Sequence, residues 1–407
     1  MTSLSRVNEF FGLRRSIVGL LGMVILVVLG EKMADRFLPI YLLALGGGAI
    51  VVGLFNGLKN LLGALYSLPG GYLADRLGTK RALLVFNLMA MTGYLIVIAV
   101  PAWQAVIVGA FFFLSWSAVS LPATMSLVAK ALPQNKRTMG VSMLALVRRL
   151  PMAAGPVLGG LFIDAWGART GVRLAFLVAL AMAGVAIVLQ QALIKDDRPA
   201  VEAAAKTSAR FGHPLRLLRE MNASLRNLLF SDILIRFCEQ IPDAFVVIWC
   251  TQQIAAPVRA FEFGVLTAIE MSAAALVYIP VAYFADRGAK KPFVLMTFVF
   301  FTLFPLVLWY CQSFWPLVGA FVLRGLKDFG DATRKALILD LAPEDQRAMT
   351  FGLYYLIRDS IVSLAAFGGA FLWLVSPATN FLTAFAFGLV GTVWFALRGR
   401  DVLAGRQ

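Results

Sequence analysis

The sequence predicts an all-α membrane protein of twelve transmembrane helices, arranged as two pseudo-symmetric bundles of six. Three observations carry this. Apolar residues make up 60% of the 407 positions. They run in stretches of bilayer length rather than the shorter, alternating stretches of soluble domains. Short charged and Gly/Pro motifs then recur at a nearly constant offset, with the partner of Asp75 at Asp286, 211 positions on (286 − 75). A spanning helix takes about 20 residues, so twelve use roughly 240 to 280 and leave short loops and one longer linker.

The expected spans, in order, are 16–45, 49–74, 81–101, 104–130, 138–163 and 172–194 in the first half. The second half gives 226–254, 260–285, 292–311, 315–341, 347–375 and 379–398. The first stretch follows Arg14 and Arg15, as a signal peptide would, but it continues through Glu31 to Leu45. That is too long for a signal h-region, and no small-residue cleavage site follows, so it reads as a retained helix. The organisation is a six-helix bundle over 1–194, a basic linker over 195–225 and a second six-helix bundle over 226–407.

The net charge is +15, from 37 Lys and Arg against 22 Asp and Glu. No aromatic-basic patch of a nucleic-acid binder accompanies it. The cations instead cluster in alternate loops: Arg14 and Arg15, Arg76, Lys80 and Arg81, Lys136 and Arg137, and Arg287, Lys290 and Lys291. The intervening loops carry little beyond Arg169, Arg173 and Arg259. The positive-inside rule then places both termini and the linker in the cytoplasm, as in a multi-pass protein of a cell's inner membrane. Phe211, Leu215 and Leu218 share a helical face among basic residues. They suit either an amphipathic helix on the anionic leaflet, in contact with membrane lipids, or a solvated linker.

Several chemistries are excluded. The one histidine, His213, lies in the linker. No intramembrane H-E-x-x-H metal site and no Ser–His dyad can form within the spans, and no phosphate-binding Gly-rich loop is present. The reading is of a non-enzyme, with no metal and no cofactor. Cys238, Cys250 and Cys311 lie in apolar stretches, where they read as packing residues.

The repeat fixes the architecture. Gly71-Tyr-Leu-Ala-Asp75-Arg76 is echoed by Ala282-Tyr-Phe-Ala-Asp286-Arg287, and Lys59 by Glu270, at offset 211. Arg148 and Arg358, and Gly159 and Gly369, match at offset 210. Glu31 with Asp35 matches Glu239 with Asp243 at offset 208.

Charges within spans are costly and mark a cavity or an internal pairing. Glu31 and Asp35, and Glu239 and Asp243, are i,i+4 pairs and share a face. Arg36 and Arg236 join them, and Lys59, Arg148, Glu270 and Arg358 add further interior charge. The tenth span carries Arg324, Asp328, Asp331 and Arg334 at three- and four-residue spacing, which makes one polar face. These groups are candidates for proton coupling, and structural salt bridges of Glu31, Asp35, Glu239 and Asp243, for example with Lys59, Arg148 or Arg358, are the plain alternative. So many charges of both signs suit a polar, zwitterionic or anionic solute, or a lipid with a charged headgroup, better than a greasy cation.

The stretch Gly71-Tyr-Leu-Ala-Asp75-Arg76-Leu-Gly78-Thr-Lys80-Arg81 resembles the loop 2–3 signature of the major facilitator superfamily, with a weaker second copy at Asp286 and Arg287. The resemblance implies secondary transport by alternating access around a site between the two halves, and a monomer. It implies a gating role for Gly71, Asp75, Arg76, Gly78, Lys80, Arg81, Asp286 and Arg287. Gly155-Pro156-Val-Leu-Gly159-Gly160 is similar to part of a drug/proton antiporter signature, although Pro151 stands where that pattern has a glycine. The fourth span lacks the arginine often found there in the family, and carries no charge before Lys130.

The expected function is therefore secondary transport of a small polar, zwitterionic or amphipathic solute, with proton-coupled export first. Proton- or sodium-coupled uptake of a polar metabolite, a lysolipid or glycolipid flippase and a non-transporting membrane sensor are the alternatives.

Overall fold

The computed structural model describes residues 15–114, 116, 124, 134–194, 221–285, 289–342 and 347–400. All its regular elements are helical. They are α1 (Arg15–Asp35), α2 (Leu38–Ala44), α3 (Gly48–Leu77), α4 (Thr79–Ala99), α5 (Trp103–Phe113) and α6 (Gln134–Leu193) in the first half. The second half holds α7 (Ala223–Ile248), α8 (Ala260–Ala285), α9 (Lys291–Tyr310), α10 (Phe314–Leu326), α11 (Asp331–Leu341), α12 (Arg347–Val375) and α13 (Pro377–Arg398). A π-helical turn, Trp249–Gln253, extends α7.

These elements make the twelve expected spans, with three differences. The continuous helix expected over 16–45 breaks after Asp35, because Pro39 sits in the first turn of α2 and cannot donate back to it. The continuous helix expected over 315–341 breaks between Leu326 and Asp331. Spans five and six run together as α6 and are separated only by Gly167, whose φ of 75° is left-handed and open to glycine. Seven described helical segments are long and apolar enough to cross a membrane, the segment Arg148–Leu193 holding two spans. The remainder of span four and most of the 195–225 linker lie outside the described residues.

The helices cluster into two compact units. The first takes in residues 1–45 and 62–210, the second 46–61 and 211–407. In the first unit α1 lies along α6, and in the second α7 lies against α12 and α13. Small residues permit these crossings. A Cβ at Gly159 would overlap the Met33 carbonyl, and one at Gly369 would overlap the Ile241 carbonyl. Helix ends are tied down by specific groups. Asn222 caps α7 by accepting from the Leu225 amide at 2.7 Å, and it donates to the Leu341 carbonyl at 2.8 Å. Arg169 donates to the Ala44 carbonyl at 2.6 Å and Arg173 to the Ile98 carbonyl at 2.7 Å, so both satisfy helix C-termini.

Candidate functional site

The second unit gathers the interior charges of spans seven, eight, ten and eleven into two networks. The first lies on α7, α8 and the end of α10. Glu239 accepts from Arg236 Nη1 at 2.5 Å through Oε2 and from Lys327 Nζ at 2.9 Å through Oε1. Lys327 also lies 3.5 Å from Glu270, and Arg324 Nε lies 3.4 Å from the same oxygen. Arg324 Nη2 donates to Asp243 at 2.6 Å. Three cations thus meet three carboxylates.

Aromatic rings wall this network. The Arg236 guanidinium and the Lys327 ammonium both stand over Phe301, at 5.2 and 5.9 Å from its centroid. Arg324 stands 5.1 Å from the Phe304 centroid and 5.8 Å from that of Phe321. Each cation keeps a favourable ring contact besides its ion pairs. The network has a sealed part and an accessible part. Glu270 and Arg324 side chains are 0% and 4% exposed, whereas Arg236 and Lys327 are 20% and 16% exposed. Close packing brings α10 up to α8, since a Cβ at Gly325 would overlap the Glu270 carbonyl.

The second network lies on α7, α11 and α12. Asp232 is buried and accepts from Arg334, from Arg358 Nη1 at 3.1 Å and from the Tyr354 hydroxyl at 3.1 Å. Arg334 also donates to Asp331 at 2.6 Å, and Lys335 reaches Asp331 at 2.7 Å. Arg358 donates to Asp359 at 2.7 Å and lies 4.2 Å from the Tyr355 ring centroid. Again three cations meet three carboxylates. Between the networks span ten is broken: the Lys327, Asp328 and Phe329 amides bond three residues back, and the Gly330 amide donates to Thr297 Oγ1 at 2.6 Å.

The first-half copy of the carboxylate pair is arranged differently. Lys32 donates to Glu31 at 2.9 Å and to Asp35 at 2.8 Å, so the pair meets a cation of its own helix. Lys32 corresponds in the repeat to Gln240 (240 − 32 = 208). Gln240 is neutral and receives Asn60 Nδ2 at 2.9 Å on its side chain and Asn56 Nδ2 at 3.0 Å on its carbonyl. A neutral polar network occupies the first unit: Asn87 donates to Gln190 at 2.9 Å, accepts from Trp116 at 2.5 Å, and Gln190 donates to the Lys80 carbonyl at 2.7 Å.

Of the sequence candidates, Arg236, Glu239, Asp243, Glu270 and Arg324 come together in one network, and Asp331, Arg334 and Arg358 in the other. Glu31 and Asp35 share Lys32 in a triad. Arg36, Lys59 and Asp328 are half-buried. Arg148, also half-buried, has an inward Nε without a hydrogen-bond acceptor among the described residues. Gly78 adopts φ 82°, as its tight turn requires. Lys80 donates to the Gln191 carbonyl at 3.0 Å, and Arg76 is exposed. The side-chain surroundings of Gly71 and Asp75, and all of Asp286 and Arg287, lie outside the described residues. Gly155 packs on Lys32 and Gly159 on Met33, beside the triad.

Five further charged residues join these networks, Lys32, Asp232, Lys327, Lys335 and Asp359; the sequence shows each as a charge within a span, though none was a coupling candidate. Lys32 could have been found from spacing alone, at i+1 from Glu31 and i−3 from Asp35. Lys327 lies on the tenth-span polar face, one turn from Arg324. Asp232 lies seven residues before Glu239, on the same face, but its partners are 102 and 126 residues away in sequence.

The fold has counterparts among known proteins. The family model described as Major Facilitator Superfamily matches residues 20–254. An uncharacterised MFS-type transporter of Methanocaldococcus jannaschii is 20% identical over 375 residues, 87% of each chain. A peptide transporter of the POT type superposes with a TM-score of 0.78 at 15% identity, covering 96% of this chain and 94% of that one. The nucleoside transporter NupG gives 0.78 at 13% identity, covering 94% and 100%. A POT family transporter bound to 5-aminolevulinic acid gives 0.76 at 13% identity, covering 95% and 96%.

Proposed function

The chain belongs to the major facilitator superfamily, and from that premise we propose that this multi-pass membrane protein couples proton movement to the transport of a small polar or zwitterionic solute. As a member it is a secondary transporter and not an enzyme. Glu239, Asp243 and Glu270 are the proton-accepting groups in this reading. One observation supports it most: Glu239 is shared by Arg236 of its own helix and Lys327 of span ten. A single proton on Glu239 weakens both ion pairs at once, and so changes how span seven holds span ten. Sodium fits less well, because guanidinium and ammonium nitrogens already occupy the places around these carboxylates that a metal cation would need.

The same pairing supports one direction over the other. Protonating a carboxylate that holds two cations frees positive charge for the solute, so proton and solute bind together. That places proton-coupled uptake ahead of export. The Gly155-Pro156 element, which favours export by its pattern, has a packing role that Gly369 repeats in a half lacking that pattern. The loop holding Asp75, Arg76, Gly78, Lys80 and Arg81, with its second copy at Asp286 and Arg287, serves as the gate. The termini and the linker are cytoplasmic, and a single chain suffices.

The test is proton movement in vesicles loaded with a pH dye and containing the purified protein. Amino acids, dipeptides, nucleosides and lysolipids are added outside in turn. Acidification of the lumen by a zwitterion is expected. Alkalinisation would mean exchange and restore export. Counterflow of a solute with no proton movement would overturn the coupling.

A further inference from the structure

We propose that Arg148 is a binding residue for a carboxylate group of the solute, an acceptor left open in the first half of the repeat because that half lacks the acids that neutralise its counterpart in the second. The inference deepens the polar-solute reading above by naming the group bound, and it involves neither Glu239 nor the coupled proton.

The two copies of one arginine differ in what surrounds them. Arg358 corresponds to Arg148 at offset 210. Its guanidinium is committed: it donates to Asp232 at 3.1 Å and to Asp359 at 2.7 Å, and lies 4.2 Å from the Tyr355 ring centroid. In the first half Val24 stands for Asp232 (232 − 208), Arg149 for Asp359 (359 − 210) and Ala145 for Tyr355 (355 − 210). Among the described residues Arg148 accordingly makes no hydrogen bond and no ion pair, and its Nε is buried without an acceptor. Glu31 acts on it only from a distance.

The charge balance inverts between the same spans. Beyond their first turns, spans seven and eleven carry four acids, Asp232, Glu239, Asp243 and Asp359, against two bases, Arg236 and Arg358. Span ten supplies further cations to these acids through Arg324, Lys327 and Arg334. Spans one and five carry two acids, Glu31 and Asp35, against four bases, Lys32, Arg36, Arg148 and Arg149. Span four, the counterpart of span ten, carries no charge before Lys130 and so supplies no acid. Both acids meet Lys32, and Arg36 and Arg149 have contacts of their own. The anion that Arg148 lacks must come from outside these spans.

Its position suits a solute. Arg148 is ten residues into the expected span 138–163, about 15 Å along it and near the middle of a hydrocarbon core about 30 Å thick. It precedes Gly155 by seven residues and Gly159 by eleven, so it shares their helix face, which rests on Lys32 and Met33 of span one. That face looks into the bundle rather than to lipid. The residue is half-buried, so its guanidinium is sealed at Nε and open elsewhere. An uncompensated cation at such depth is costly, and a guanidinium fork matches the two oxygens of one carboxylate. A phosphate dianion would overshoot the single charge and meet Glu31, and an amide would leave the charge uncompensated. No covalent bond changes.

The test uses the purified full-length protein with propionate, alanine and alanyl-alanine against their amides, and lysophosphatidylglycerol as the lipid probe. Calorimetry reads affinity, and thermal unfolding reads the fold. The acids bind to wild type and the amides do not. In Arg148→Gln the acids bind at least roughly tenfold more weakly, a loss of about 1.4 kcal/mol. The same variant unfolds no earlier than wild type, because the guanidinium has no partner within the chain to lose. Arg358→Gln, which takes a cation from Asp232 and Asp359, unfolds earlier. Val24→Asp supplies the acid of the second half and weakens acid binding with Arg148 still in place. Acids that bind to Arg148→Gln as they do to wild type, amides that bind as well as acids, or no acid bound by wild type would overturn the acceptor. So would lysophosphatidylglycerol binding in place of the acids, or an Arg148→Gln protein as unstable as Arg358→Gln. None of these outcomes bears on the coupled proton, which the vesicle measurement judges with Glu239 and Arg148 both intact.

Discussion

Gly159 stands so close to Met33 that any side chain at 159 would meet the Met33 carbonyl, and Gly369 stands on Ile241 in the same way. The glycines are 210 positions apart and the carbonyls 208 (369 − 159 and 241 − 33), the offsets at which the sequence itself repeats. The duplication has preserved a crossing between the first and fifth helices of each half. Each bundle thus depends on the backbone-to-backbone approach that small residues permit.

Gly159→Ala and Gly369→Ala are each expected to lower stability by roughly 1–3 kcal/mol, the usual cost of overpacking a tight contact. Gly63→Ala and Gly352→Ala, where a Cβ meets nothing within 4 Å, should be neutral or stabilising by up to about 1 kcal/mol. Thermal unfolding of the four purified variants measures the difference, and a Gly369→Ala protein as stable as Gly352→Ala would contradict the packing account.

Asp232→Asn should be among the most damaging single substitutions in the second unit. It removes the carboxylate on which Arg334, Arg358 and Tyr354 converge. Removing one member of a buried ion pair costs about 3–5 kcal/mol, because the partner charge stays buried. Tyr354→Phe removes a single hydrogen bond and should cost about 1 kcal/mol. Unfolding midpoints that rank these two the other way would show that Asp232 is not the centre of the network.

Thr297→Val tests the break in span ten. The Gly330 amide has Thr297 Oγ1 as its acceptor at 2.6 Å, and an unsatisfied buried amide costs about 1–3 kcal/mol. The measurement is again thermal unfolding, with Thr267→Val as the control, since the Thr267 hydroxyl bonds only within its own helix. Equal midpoints for the two variants would mean that the break is not held by Thr297.

Much of the fold was legible because its causes are local. A span must carry an apolar run, and a duplicated bundle must carry its Gly, Pro and charged landmarks at a constant offset. The helix breaks were not legible. Arg324, Lys327, Asp331 and Arg334 keep helical spacing across a segment that is not continuously helical, so periodicity concealed the turn at Gly330. The carboxylates of the site were visible as i,i+4 pairs. Which cation each one meets was visible only where the partners lie within three residues, as for Lys32 with Glu31 and Asp35, Arg236 with Glu239 and Arg334 with Asp331. Glu239 meets Lys327, 88 positions away, and Asp232 meets Arg358, 126 positions away. Such pairings are set by tertiary packing, which spacing along one helix does not encode.

Asp75→Asn, at the end of span two, should slow transport while leaving solute binding within about twofold of wild type, a difference of under about 0.5 kcal/mol. Equilibrium binding and flux measured on the same preparation separate these effects. A large loss of binding would place Asp75 in the solute site rather than the gate.

The most direct test of the central claim is the Glu239→Gln variant in proteoliposomes, assayed in two ways with one transported zwitterion. If Glu239 carries the coupled proton, accumulation driven by a pH gradient is abolished, while counterflow without a gradient continues near the wild-type rate. Gradient-driven accumulation that survives in Glu239→Gln, with wild-type pH dependence, would contradict the account.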